Sequence, residues 1–158
     1  MKKLSELSSQ IGKLLAAKGK TLALAESCTG GFIAHQVTLI AGSSAYFKGG
    51  VIAYDNSIKS FLLHVSEVTL KNHGAVSVEC AKEMAAGALK NFNADFALST
   101  TGIAGPTGET PEKPVGTVCI GLATKESVVA ERFQFTGNRQ EVIEQSANKA
   151  MELLLKVI

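Results

Sequence analysis

The chain has 158 residues, 46% of them hydrophobic, and a formal charge of +2, which fits one domain able to bury roughly 70% of its extended surface without a metal or disulfide. Its lysines are dispersed rather than gathered in a basic stripe, which argues against nucleic acid as a partner, and no run approaches the ~20 apolar residues that span a bilayer. Cys28, Cys80 and Cys119 lack CxxC spacing, which argues against a disulfide framework or structural zinc and favours a reducing, cytoplasmic setting.

The opening MKKLSELSSQIGKLLAAKGK places Leu4, Leu7, Ile11, Leu14 and Leu15 at helical spacing, interrupted by Glu6, Gln10 and Lys13. It reads as an amphipathic helix closed by Gly19, not as a signal peptide. TLALAE, residues 21–26, is a buried strand. AESCTGG follows it, and then a helix with Phe32, Ile33, Val37 and Ile40 on one face, ending near Gly42. AYFKGGVIAY is a second β region, bulged or split at Gly49 and Gly50 and ending at Tyr54. Asn56 is expected to cap a short helix over SIKSFLLHV, with Lys59 in its first turns, and Ser77 a longer one over VECAKEMAAGALKNF.

ADFALSTTG is a third strand, running into TGIAGPTGETPEKP, a loop that holds all three prolines, Pro106, Pro111 and Pro114, and so has a fixed shape. VGTVCIGLAT and SVVAERFQF pair as a hairpin. A last helix starts at Asn138, with Glu141 completing a capping box. This order predicts an α/β fold, a three-layer α/β/α sandwich with a mixed, mainly parallel sheet, as a single domain over residues 1–158. Three unusual stretches, 26–31, 54–59 and 100–108, each follow a strand. With those strands parallel, all three meet at one rim, outside the carboxyl ends where open α/β sheets bind ligands.

In AESCTGG, Ser27 and Cys28 stand between a carboxylate and two glycines at a strand-to-helix turn. The N–H groups around Thr29, Gly30 and Gly31 suit an anion or a developing oxyanion. The same residues also read as a plain turn with Thr29 as N-cap. A serine nucleophile needs a base. His35 lies about two turns along the helix from Ser27, and His64 and His73 fall near helix ends, where a cap or solvated role is the ordinary one. Lys59 and Tyr54 remain, although Lys59 alone reads as a surface lysine. No His, Cys or carboxylate set has metal-ligand spacing, so neither metal nor organic cofactor is expected.

ESCTGG at 26–31, GGVIAYDNSIK at 49–59, HGAVS at 73–77, TGIAGPTG at 101–108 and PEKPVGTV at 111–118 together resemble the CinA C-terminal domain family, whose characterised members are nicotinamide-nucleotide amidases. The resemblance covers nearly the whole chain. It implies hydrolysis of the carboxamide of nicotinamide mononucleotide to the nicotinate nucleotide and ammonia, in pyridine-nucleotide salvage. It assigns the nucleophile to Ser27, the base to Lys59 and an assisting role to Tyr54, and places Thr101 in the substrate loop. Gly102 and Gly105 of that loop, with Arg139 or a lysine as counter-charge, are expected to meet the phosphate. Arg139 follows Asn138 where the family pattern has an acid, which leaves its role open. Members also occur behind a larger N-terminal domain, which is not expected here. The partners expected are a nucleotide substrate and a second copy of the chain, in a homodimer or higher homo-oligomer. A non-catalytic nucleotide-binding module is the alternative, separable by ammonia release. A DNA-associated competence role would require binding that weakens steeply with salt.

Overall fold

Strand β1 (Leu22–Glu26) reads LALAE and is buried along its whole length. Successive side chains on a strand point to opposite faces. Its leucines therefore enter one core and its alanines another, so that the sheet carries helices on both sides. In the computed structural model, which describes residues 3–158, α1 (Leu4–Lys18), α2 (Phe32–Thr38) and α6 (Arg139–Leu155) share the leucine-rich core. On the alanine-rich face lie α3 (Asn56–Leu63), α4 (Glu67–His73) and α5 (Val78–Phe92). Met1 and Lys2, the start of the expected N-terminal helix segment, lie outside the described residues.

The remaining strands are β2 (Phe47–Ile52), β3 (Phe96–Gly102), β4 (Thr117–Thr124) and β5 (Val128–Gln134), in the order β2-β1-β3-β4-β5. β1 pairs parallel with both β2 and β3, whereas β3–β4 and β4–β5 are antiparallel. The sheet is mixed, as expected. Only β4 runs against the other strands, while the pairings divide evenly between the two kinds. The expected irregularity in β2 falls at Lys48, because Leu22 pairs with Phe47 and Ala23 already with Gly49.

Gly19 closes α1 in the left-handed conformation, Ser77 caps α5 by accepting from the Cys80 N–H, and Asn138 and Glu141 form the capping box of α6. Other boundaries differ from expectation. Asp55, not Asn56, caps α3, accepting from the Ser57 N–H at 2.8 Å, and Asn56 is the first helical residue. β2 ends at Ile52 rather than Tyr54, and α2 ends at Thr38 with a turn of 3-10 helix at Ser43–Ala45 after it. Helix α4 has no counterpart in the sequence reading.

The alanine-rich face packs closely. A Cβ at Gly121 of β4 would lie 2.4 Å from the Ala81 carbonyl oxygen, and one at Gly87 of α5 only 2.0 Å from that of Leu63, the last residue of α3. At Gly87 the missing side chain is what lets α3 rest on α5.

Candidate active site

Because β2, β1 and β3 are parallel neighbours, the turns that follow them share one rim. Two bonds lock those strand ends together: the Ser27 N–H donates to the Thr100 carbonyl at 2.9 Å and the Ala53 N–H to the Glu26 carbonyl at 2.8 Å.

Glu26, only 2% exposed, turns its side chain onto the start of α2. Its Oε2 accepts from Thr29 Oγ1 at 2.6 Å and from the N–H groups of Gly31 and Ile33, each at 3.1 Å; its Oε1 accepts from the Ala34 N–H at 2.8 Å. An internal carboxylate thus satisfies the orphan donors of the helix. This corrects two expectations. Thr29 is not the N-cap of α2; Gly31 holds that position, with φ +95°. The Gly31 N–H is committed to Glu26 and that of Gly30 to the Ser27 carbonyl at 3.0 Å, so neither is free for an oxyanion. Thr29, Gly30 and Gly31 border a neighbouring apolar groove with Phe32 and Ile143. Among the described residues, the N–H groups of Cys28 and Thr29 at this turn donate to no backbone carbonyl.

Ser27 and Lys59 do meet. Lys59 Nζ lies 3.1 Å from Ser27 Oγ and 3.2 Å from the Tyr54 carbonyl oxygen. The lysine is 2% exposed and the serine 8%. Among the described residues Lys59 forms no ion pair with a carboxylate. Burial lowers its pKa from the ordinary lysine value, against weaker opposing effects of Cys80, Cys28 and Asp55. Its neighbour Cys28 belongs to the leucine-rich core, and burial pushes that thiol up to about 12. The two nucleophile candidates are thereby told apart: the serine has a basic partner and the thiol stays protonated.

Ser27, Lys59, Tyr54, Thr101 and Arg139 line one cleft of about 260 Å³, and Gly102 and Gly105 lie in its wall. Thr101 Oγ1 donates to the Ala75 carbonyl at 2.8 Å. Arg139 reaches across the mouth, donating through NH1 to the Gly105 carbonyl at 2.7 Å and through NH2 to Tyr54 Oη at 2.8 Å. Tyr54 therefore touches Lys59 through its main chain, while its phenol serves Arg139. The loop after β3 is pinned, since Lys113 Nζ donates to the His73 carbonyl at 2.6 Å and Arg132 NH2 to that of Glu112 at 2.7 Å. Asn138, where the family pattern has an acid, caps α6, and Asn caps as well as Asp does. None of the histidines lines the cleft: His64 meets Asn91 Oδ1 at 3.3 Å, His73 lies 3.7 Å from Glu79 and His35 borders the apolar groove. Among the described residues no three His, Cys, Asp or Glu side chains could hold a metal together, and no helix is long and apolar enough to cross a membrane.

Fold and site define an α/β/α domain with a buried serine–lysine pair at the rim of its parallel strands. The family model for the CinA C-terminal domain matches residues 4–158. The chain belongs to that family. It is 51% identical over 148 residues to a CinA-like protein of Endomicrobium trichonymphae, covering 94% of this chain and 35% of the relative. A CinA-like protein of Citrifermentans bemidjiense is 52% identical over 137 residues, 87% of this chain and 33% of the relative. The chain thus spans about a third of the length of these relatives. Its fold matches the crystal structure of the competence/damage inducible protein CihA from Agrobacterium tumefaciens with a TM-score of 0.96 and 38% identity, over 99% of this chain and 96% of that one.

Proposed function

We propose that the chain is an amidohydrolase that converts nicotinamide mononucleotide to the nicotinate nucleotide and ammonia through an acyl-enzyme on Ser27. The observation that carries this reading is the 3.1 Å contact between Ser27 Oγ and the buried amine of Lys59, which among the described residues forms no ion pair with a carboxylate. An isolated buried amine is easily held neutral, the form a general base requires. The cationic ring of the substrate favours that form further and makes its carboxamide a better electrophile.

Lys59 Nζ takes the proton of Ser27 as Oγ attacks the carboxamide carbon. The Cys28 N–H, on the residue after the nucleophile, receives the oxyanion in this mechanism. Lys59 returns the proton to the leaving nitrogen, the C–N bond breaks and ammonia departs. Water then attacks the ester, Lys59 takes its proton and passes it to Ser27 Oγ, and the carboxylate is released. Arg139, with donors beyond the two in use, supplies positive charge at the mouth for the phosphate. Such a reaction belongs to pyridine-nucleotide salvage in the cytoplasm, and a homo-oligomer is the assembly proposed.

The test is ammonia release from nicotinamide mononucleotide by the wild type and by Ser27→Ala. The wild type is expected to turn over. The variant should bind the nucleotide and lose at least about a thousandfold in kcat. A wild type that binds without releasing ammonia would leave a binding module, and an alanine variant of normal rate would remove Ser27 from the chemistry.

A further inference from the structure

Most polar side chains that line the catalytic cleft are already engaged. Ser27 meets Lys59, Thr101 donates to Ala75, and Arg139 binds Gly105 and the Tyr54 hydroxyl. Among the described hydroxyl, amide and charged side chains lining it, only those of Asn56 and Thr107 make no hydrogen bond within the protein. Asn56 is the first residue of α3 and stands three positions before Lys59. Residues three apart lie on one stripe of a helix, about 4.5 Å apart along its axis. Lys59 reaches the buried floor at Ser27, while Asn56 is exposed at the outer end of the same stripe. The line from Ser27 to Asn56 therefore runs from the point of attack to the mouth.

We infer that Asn56 is a specificity-determining residue that reads the ribose diol of the substrate, an inference that rests on the amidase reading of the same cleft. With the carboxamide at Ser27, the pyridine ring must extend outward, and its glycosidic nitrogen brings the sugar to the level of Asn56. A primary amide offers two N–H donors and a carbonyl acceptor side by side. A vicinal diol presents the matching set, one hydroxyl to donate and one to accept. Neither a phosphate, with acceptors only, nor a bare pyridine, with nothing at that height, uses both ends of the amide. Asn56 is also free to serve a ligand because Asp55 has taken over the capping of α3.

The test compares nicotinamide mononucleotide with its 2′-deoxyribose analogue, for wild type and Asn56→Ala, by ammonia release. The wild type should favour the ribonucleotide by about tenfold or more in kcat/KM, the usual effect of one unmet hydrogen bond in a site built for it. Asn56→Ala should lose a larger factor on the ribonucleotide than on the deoxy analogue, whose remaining 3′-hydroxyl still meets the amide, and so narrow the gap, with its melting temperature near that of the wild type. Asn56→Asp, which keeps the acceptor, should retain part of the preference. Equal losses on both substrates, or none on either, would overturn the inference while leaving the amidase intact. A wild type inactive on both would overturn the amidase reading itself.

Discussion

Glu26→Gln tests whether the carboxylate beside Ser27 organises the turn. The glutamine carbonyl can take the place of Oε2 and keep the donors Thr29 Oγ1, Gly31 N and Ile33 N, but its NH2 then faces the Ala34 N–H, which now has its acceptor at 2.8 Å. An unsatisfied buried N–H costs about 1–3 kcal/mol. Exchanging a charged acceptor for a neutral one weakens the other three bonds by roughly 0.5–1 kcal/mol each, and part of this returns because no charge is buried. The net loss is about 3 kcal/mol, or roughly 6–12 °C in Tm for a chain of this size. Denaturant and thermal unfolding of the two proteins would measure it, and kcat should fall as well because α2 follows directly on the Ser27 turn. A loss under about 1 kcal/mol would refute the reasoning.

Lys59→Arg should abolish turnover as fully as Lys59→Ala, because a guanidinium cannot accept the serine proton; the rising limb of kcat/KM with pH should vanish in both, and an Arg variant of normal kcat would remove Lys59 as the base. Lys59→Met should be inactive yet more stable than the wild type at neutral pH. The folded-state pKa lies below the ordinary 10.5, so between the two values the unfolded chain binds more protons and wild-type stability rises with pH. The advantage of the Met variant should accordingly narrow as pH rises towards the ordinary value, and a less stable Met variant at pH 7 would contradict this. Cys28→Ala should keep most of the activity, and thiol alkylation at pH 7 should leave the rate intact, since a thiol at about 12 is almost wholly protonated there. Exhaustive chelation should leave the rate unchanged, given that no cluster of ligand side chains is present among the described residues; a rate restored only by a divalent ion would contradict it.

The strands and long helices were legible because their apolar periodicity is strong and their caps are ordinary. Helix α4 was not, since EVTLKNH buries no residue and so has no apolar stripe to detect. Ser27 and Lys59 were found from their places after strand ends and from the family motifs. The exact reach of Lys59 depends on how α3 leans on α5, which periodicity does not record. The role of Glu26 was hidden for a different reason: a side chain that folds forward onto N–H groups five to eight residues on leaves no mark in local spacing. The one available signal was an acid just before a helix whose own first turn holds none. The donors of Gly30 and Gly31 are hidden in the same way, because the Gly31 N–H goes to that carboxylate and the Gly30 N–H to the Ser27 carbonyl.

The bare Cα of Gly87, which lies outside the cleft, helps to set how far Lys59 reaches towards Ser27. A methyl group there would have to displace the Leu63 carbonyl from 2.0 Å to ordinary contact at 3.4 Å or beyond, carrying α3 outward by roughly 1.5 Å, and an error of even about 1 Å in a reacting pair can lower a rate a hundredfold. The distance between amine and hydroxyl is thus gauged by a spacer of zero thickness on another helix. Position 87 is thus a dial that moves Lys59 and Asn56 together on α3 without replacing any residue that lines the cleft.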